Sequence, residues 1–524
     1  MSAFALNPEL LRNARIQLRP GRAVAAAVIC AAVSLTAWSS YHYGSVTGPG
    51  DSHDLVLFRI TLLLQVIVLL LGGGIACLQS VHREKELNTF DFQRVTRLSS
   101  FELGIGKLFG APILAYFVVL CLMPLAIFAA VIGHIGVWPF VQAYVIVLFG
   151  CIVYHAFAVL ASTMLGRGGS AMAILLFLLL VGITSADTGP IPTDWQLKEF
   201  GPFAARYAAS WDWGKTPFDD QFFGLLLPHF AVLFVLFAIF TAWFLLGIVR
   251  NLKRDPAVYE IYSPMQAFFF ALYLELLVLG FFRWKSPGLM KPPGVVINWS
   301  YIKEPPLLPA VETEHALLFL SAWIFFGLGM LLLRNRERVR RRVRAMGDVA
   351  AGWWASLWPA LYVIGGIILT GLAVVELIRI YRQPIEGWSI ASALFEVAFC
   401  GVWIARDVLY LQWMNLRRTR RPLVFAFLYL IIFYVCAGIL LGALAAVMSE
   451  RAVALSALLV PSQLLPRIVN MWPTDQPLLI GILAGLAVEA LGFAFLQRQK
   501  LREFITPPVV APVMTPRKPS LMTR

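Results

Sequence analysis

Charged residues are scarce. They make up 14% of the 524 residues, where a soluble globular chain carries about 25%. With 59% hydrophobic residues and a mean hydropathy of +0.76, that shortage excludes an ordinary soluble enzyme, a disordered chain and a fibrous repeat. Cysteine is rare as well. Cys30, Cys77, Cys121, Cys151, Cys400 and Cys436 all fall inside apolar runs, with no metal-ligand spacing and no watery loop to hold a disulfide framework. They read as small hydrophobes. No His-Glu-x-x-His motif is present. One stretch, 209–216, satisfies a permissive phosphate-loop pattern, but Trp211 and Trp213 stand where small residues would let backbone amides wrap phosphate. Any ATP hydrolysis is expected on another polypeptide.

What the chain has in abundance is long apolar runs. A bilayer core of about 30 Å needs roughly 20 apolar residues per helix, and twelve runs qualify: 22–40, 55–77, 108–132, 139–162, 170–185, 224–249, 265–282, 314–333, 353–375, 388–404, 422–447 and 477–497. The expected fold is all-α, a polytopic transmembrane helical bundle. Segment 452–465 is apolar but broken by Pro461 and followed by Pro466, and reads as interfacial or re-entrant. With the N-terminus placed in the cytoplasm, 31 of the 43 Lys and Arg fall on the cytoplasmic side and 11 outside. This imbalance follows the positive-inside rule, and a phase shift of one helix would invert it. Both termini are therefore expected in the cytoplasm. The formal net charge of +14 is explained by topology, so nucleic acid is not an expected partner.

The first apolar run starts too late for a usual signal-peptide n-region. Ahead of it lies a short interfacial helix. Asn7 can cap it, Pro8 suits its first position, Glu9 suits its positive end, and Pro20 stops it. Arg12, Arg15, Arg19 and Arg22 form a basic stripe suited to anionic membrane lipids. The external loops 187–223 and 281–313 are long enough for small caps only, and the proline-rich tail 498–524 is expected to be mobile.

The loop between the second and third runs carries the most information. It reads Arg83-Glu84-Lys85-Glu86-Leu87-Asn88-Thr89, continues through Thr96-Arg97-Leu98-Ser99 to Phe101-Glu102, and ends in Gly106-Lys107-Leu108. Charge at its start and apolar Phe90 and Phe92 suggest an amphipathic elbow, then a turn, then a helix that Ser99 or Ser100 can cap with Glu102 near its positive end. Physics alone also allows a plain solvated connection.

This loop resembles that of the type-2 ABC exporter permeases, where a Glu-Arg-Glu-Lys-Gly-Thr run precedes Thr-Pro-Leu-Ser, then Glu, then Gly-Lys-Leu. Glu84, Glu86, Thr89, Thr96, Leu98, Ser99, Glu102, Gly106, Lys107 and Leu108 match without a gap, while Asn88 replaces the usual glycine and Arg97 the usual proline. The opening Asn7-Pro8-Glu9-Leu10-Leu11-Arg12 is similar too, and the likeness covers about the first 250 residues. It implies a six-span permease domain over 1–250 whose coupling loop, 82–107, docks a separate ABC ATPase subunit. Glu84, Glu86, Thr89, Leu98, Glu102 and Lys107 would then be the docking residues. It also implies export across a bacterial cytoplasmic membrane, ATP bound on the partner, and no cofactor on this chain.

Residues 251–497 hold six further runs in the same phase, a second transmembrane domain that could be a degenerate repeat. Its equivalent loop, Arg334 to Arg344, lacks the Glu-x-Glu and Gly-Lys elements and reads as a degenerate docking site, a lipid-headgroup anchor or a topology signal. One chain or a homodimer could form the pathway, and the transported substrate stays open. Glu275, Glu396 and Glu489 sit within apolar runs, where charge is costly and often functional. They are candidates for an intramembrane polar site, or for structural pairs with Arg59, Gln65 or His155. Two other readings stay open: an ion-coupled secondary transporter using these glutamates, and a membrane-embedded enzyme acting on lipid or glycan.

Overall fold

The computed structural model describes residues 7–42, 53–90, 97–164, 219–223, 225–253, 261–281, 310–380, 389–417, 422–444, 449–461 and 464–505. Most of these residues are helical, and the chain divides into two compact units, Met1–Tyr262 with Gly280–Pro293 and Ser263–Leu279 with Gly294–Arg524. Among the described residues, eight helices are long and apolar enough to cross a membrane, or nine if one bent pair counts as a single span. The protein is a multi-pass membrane protein. Expected span 170–185 lies outside the described residues, as do stretch 209–216 and most of the two external loops. One departure from an all-helical reading is a two-stranded antiparallel hairpin, β1 (Asp219–Phe222) and β2 (Leu225–Pro228), with Phe223 at positive φ in its turn.

The first unit begins with α1 (Pro8–Gln17) and α2 (Pro20–His42). The second span is one 31-residue run, Val56–Glu86. It comprises all but the first three residues of α3 (His53–Ile67), a π-helical turn (Val68–Gly73) and α4 (Gly74–Glu86). Next come α5 (Ser100–Gly110), α6 (Ile113–Ile132), α7 (Val137–Met164) and, after the hairpin, α8 (His229–Asn251). The core of this unit lies where α3, α4 and α7 meet, around Phe58, Leu62, Cys77, Val81, Cys151 and Val159. Without water to drive burial, such packing depends on small residues and internal hydrogen bonds. The π-turn illustrates both. Within it the Leu69 carbonyl lies 2.9 Å from His155 Nε2, while the other ring nitrogen meets Tyr116 Oη at 3.1 Å. The imidazole fits because residue 73 is glycine; a Cβ there would lie 2.5 Å from Nε2. Nearby, Tyr144 donates to Gln65 Oε1 at 2.6 Å. Neither Gln65 nor His155 thus serves a buried glutamate, as a sequence reading allowed.

The second unit contains α9 (Pro264–Phe281), α10 (Ala310–Leu331), α11 (Arg336–Met346), α12 (Val349–Ile380), α13 (Ile390–Asn415), α14 (Pro422–Leu444), α15 (Glu450–Leu455) and α16 (Gln476–Arg502). Helix α13 lies at its centre and packs against α10, α12, α14 and α16. It runs eleven residues past the expected end at 404, carrying Arg406 and Asp407 inside the bundle. The expected runs 314–333, 388–404 and 422–447 are helices, but none of α10, α13 and α14 is among the eight. Helix α11 turns 59° away from the end of α10 and buries only Val339 and Val343, against Leu416, Leu501 and Phe504. The described residues of segment 452–465, which exclude 462 and 463, form short helical turns with Val453, Ala454, Ala457 and Val460 buried. Helix α16 continues to Arg502, so the first residues of the expected tail are ordered.

Candidate functional site

The second span ends in a motif that its sequence specifies residue by residue. Asn88 takes φ 57, in the left-handed region that glycine or asparagine adopts most readily. The Asn88 amide donates to the Lys85 carbonyl at 3.3 Å and the Thr89 amide to the Glu84 carbonyl at 3.0 Å, the paired bonds of a Schellman helix end. Lys85 anchors the same turn, with Nζ donating to the Ser162 and Thr163 carbonyls at the end of α7 at 3.1 and 2.6 Å. Beyond the elbow, Ser99 and Glu102 form a capping box. The Ser99 amide and hydroxyl both donate to Glu102 Oε2 at 2.8 Å, and the Glu102 amide donates back to Ser99 Oγ at 3.1 Å. Those bonds hold the Glu102 carboxyl below the usual carboxylate range.

An ion cluster, buried except for the half-exposed Arg12, locks the elbow to α1. Lys107, 1% exposed, places Nζ 2.6 Å from Glu84 Oε2 and 3.4 Å from Glu9 Oε1. Arg12 Nη2 reaches Glu84 Oε1 at 2.6 Å and Glu9 Oε1 at 2.8 Å. Two cations and two carboxylates thus alternate in one knot. At either end of α1, Asn7 Nδ2 donates to the Glu102 carbonyl at 2.6 Å and Gln17 Nε2 to the Ala111 carbonyl at 2.7 Å. Asn7 Oδ1 meanwhile accepts from the Glu9 and Leu10 amides, the cap its sequence suggests. Gly106 permits the approach, because a Cβ there would lie 2.7 Å from Glu9 Cβ and 2.8 Å from Asn7 Oδ1. Overpacking of this kind costs about 1–3 kcal/mol, so Gly106→Val is expected to lower the unfolding temperature of the purified protein and expose 7–20 to protease. An unchanged melt with α1 still protected would show that α1 is not seated there.

The expected docking residues separate into two groups. Glu84 and Lys107 face inward and pair within the knot, whereas the sequence reading has both contacting a partner surface. Glu86 is turned outward with 49% of its side chain exposed, beside the exposed Leu87, Thr89 and Phe101. Leu98 and Glu102 are partly exposed on the same elbow. Glu9 and Arg12, which complete the knot, were legible only as helix-end and lipid-facing residues.

The three glutamates of the second unit each have a different partner. Glu275 accepts from Ser321 Oγ at 2.9 Å, and Glu396 lies 3.3 Å from His315 Nε2. Both are buried, and in each the second carboxylate oxygen has no hydrogen-bond partner. Glu489 is partly exposed and pairs with Arg406 Nη1 at 3.0 Å. Arg406 also holds Asp407 Oδ1 through Nη2 at 2.9 Å and donates to the Leu458 carbonyl at 3.1 Å, while Tyr434 donates to Asp407 Oδ2 at 2.6 Å. Sequence reasoning placed Arg406 and Asp407 in a loop, because adjacent opposite charges end a hydropathy run even when they neutralise each other inside a bundle.

No family model matches this chain, and no characterised protein or solved structure matches it. Among the described residues, no group of three or more His, Cys, Asp and Glu is arranged to hold a metal.

Proposed function

We propose that this chain is the membrane-spanning permease of a type-2 ABC transporter, an exporter driven by a separate ATPase subunit that docks on the elbow at 82–107. The observation that carries this reading is how firmly the described residues on either side of 91–96 are tied to the neighbouring helices. A span 31 residues long ends in a tight Schellman turn, is tied to α7 through Lys85, and is locked to α1 and α5 by the knot of Glu9, Arg12, Glu84 and Lys107. Force applied to the exposed rim would reach α4, α5 and α1 together rather than bend a loose loop. The positive left-handed φ of Asn88 also accounts for the glycine of the family pattern, since both residues suit that conformation.

In this reading Glu86, Leu87, Thr89, Leu98 and Glu102 form the docking rim, while Glu84 and Lys107 set its shape. Both termini and the basic helix α11 face the cytoplasm, the described helices belong to a twelve-span bundle, and the membrane is a bacterial cytoplasmic one. ATP binds on the partner. A homodimer of this chain is one arrangement of the pathway.

The test is affinity purification of the full chain under gentle detergent, intact and as the double variant Glu86→Arg, Leu87→Ser. Both side chains are exposed, but Glu86 Oε1 also lies 3.0 Å from Nε2 of the buried His82, so the variant is scored only where it melts like the intact chain. The intact chain is expected to retain an ATP-hydrolysing subunit and the variant to lose most of it. A folded intact chain that retains none would overturn the reading. The unpartnered carboxylate oxygens of Glu275 and Glu396 favour the ion-coupled alternative, which would then take its place.

A further inference from the structure

Helix α9 is one of the eight helices long and apolar enough to cross a membrane, and it carries a single carboxylate, Glu275. This residue stands about 9 Å along the axis from the Phe281 end of the helix, and only 2% of it is exposed. Its hydrogen-bond partner is neutral: Ser321 Oγ of α10, 2.9 Å from Oε2. Oε1 has no partner.

Among the described residues, no cation is placed to neutralise an ionised Glu275. The one other titratable side chain on α9 is Tyr273. Helix α10 contains no lysine or arginine; its ionisable residues are Glu312, Glu314 and His315, and His315 lies 3.3 Å from Glu396. Phe268 of α9 meets Tyr362 of α12 at 5.6 Å. That helix holds one cation, Arg379, which is exposed and pairs with Glu376 at 3.0 Å. Phe281 meets Phe222 of the hairpin, whose charged residues are Asp219 and Asp220. Glu489, by contrast, has Arg406. A buried carboxylate without a counter-ion is so costly that the group takes up a proton instead. A metal ion does not fit in its place, because hard cations take about six or more oxygen ligands. The side chains of Glu275 and Ser321 supply far fewer.

We infer that Glu275 is a proton-binding site of the second unit, holding one proton in the folded chain. The proton sits on Oε2 and is donated to Ser321 Oγ. Oε1 is then a neutral carbonyl oxygen, which tolerates the lack of a partner better than a charged oxygen does. Water entering the seam between α9 and α10 would accept the proton and solvate the carboxylate left behind. Any conformational step that wets this seam therefore releases one proton, and its reversal takes one up. The inference does not depend on an ATPase docking at the elbow, so each can fail alone.

The test is infrared spectroscopy of the full chain, purified in an ester-free detergent at neutral pH. A protonated carboxyl absorbs as a C=O stretch above the amide band, clear of ionised carboxylates. The intact chain is expected to show such a band, shifted downward after equilibration in heavy water. Glu275→Gln should remove it, whereas Glu489→Gln should leave it in place. Any component from Glu396 would survive in both variants. Ser321→Ala should move the Glu275 band to higher frequency, because a carboxyl that loses its hydrogen bond absorbs higher. A folded Glu275→Gln variant whose spectrum in this region matches the intact chain would overturn the inference. So would a band that heavy water does not shift, or that Ser321→Ala leaves unmoved. If Glu275→Gln does not fold, the Ser321→Ala comparison decides alone.

Discussion

Lys107→Met is expected to destabilise the first unit by about 3 kcal/mol, because removing one partner from a buried pair costs roughly 3–5 kcal/mol whereas exposed pairs contribute about 0–1. The lower end applies because Arg12 remains to hold both Glu84 and Glu9. The informative comparison is the double variant Glu84→Gln, Lys107→Met, which leaves fewer stranded charges and should melt above Lys107→Met alone. Thermal unfolding of the purified chain, followed by tryptophan fluorescence, measures both. A shift no larger than that of an exposed pair would mean that Lys107 is not held in the knot. Loss of the knot should also weaken retention of a partner ATPase, although neither side chain reaches the surface.

Arg406→Met is expected to have the largest effect in the second unit. It strands the buried Asp407, left with the neutral donors Tyr434 and Trp403, and deprives Glu489 and the Leu458 carbonyl of their donor. The cost of about 3–5 kcal/mol for an uncompensated buried charge applies in full here. Glu489→Gln serves as the contrast: Glu489 is partly exposed, so its loss should cost under about 1 kcal/mol. Unfolding temperatures of the two variants should therefore differ widely. Similar melts would show that Arg406 is solvated from the lipid side and that the polar group is not dry.

Local signals proved the most legible part of this sequence. Asn7 and Pro8 start α1 as their chemistry suggests, and Ser99 with Glu102 builds the box that its spacing anticipates. These are contacts between residues two or three apart, where residue type nearly determines geometry. The knot was out of reach for the opposite reason. Glu84 and Lys107 are 23 positions apart and Arg12 is 72 from Glu84, so nothing in composition or periodicity reveals that they meet. Exposed and buried charge look alike in a sequence, which is why Glu84 and Glu86 were grouped although they point in opposite directions. The pairing of Arg406 with Asp407 was hidden by adjacency, and the three glutamates looked equivalent because their separate partners come from other helices.

The π-turn at 68–73 governs more than the packing of His155. A helix turns by about 100° per residue, and a π-turn admits one residue beyond the α-helical count. Everything after Gly73, including Glu84, consequently faces a direction set by that single extra residue. If the turn relaxed into regular helix, Glu84 would swing through roughly a quarter of a revolution, away from Lys107, and the exposed rim would turn with it. His155, 2.9 Å from the Leu69 carbonyl inside the turn, is then a latch on the azimuth of the elbow.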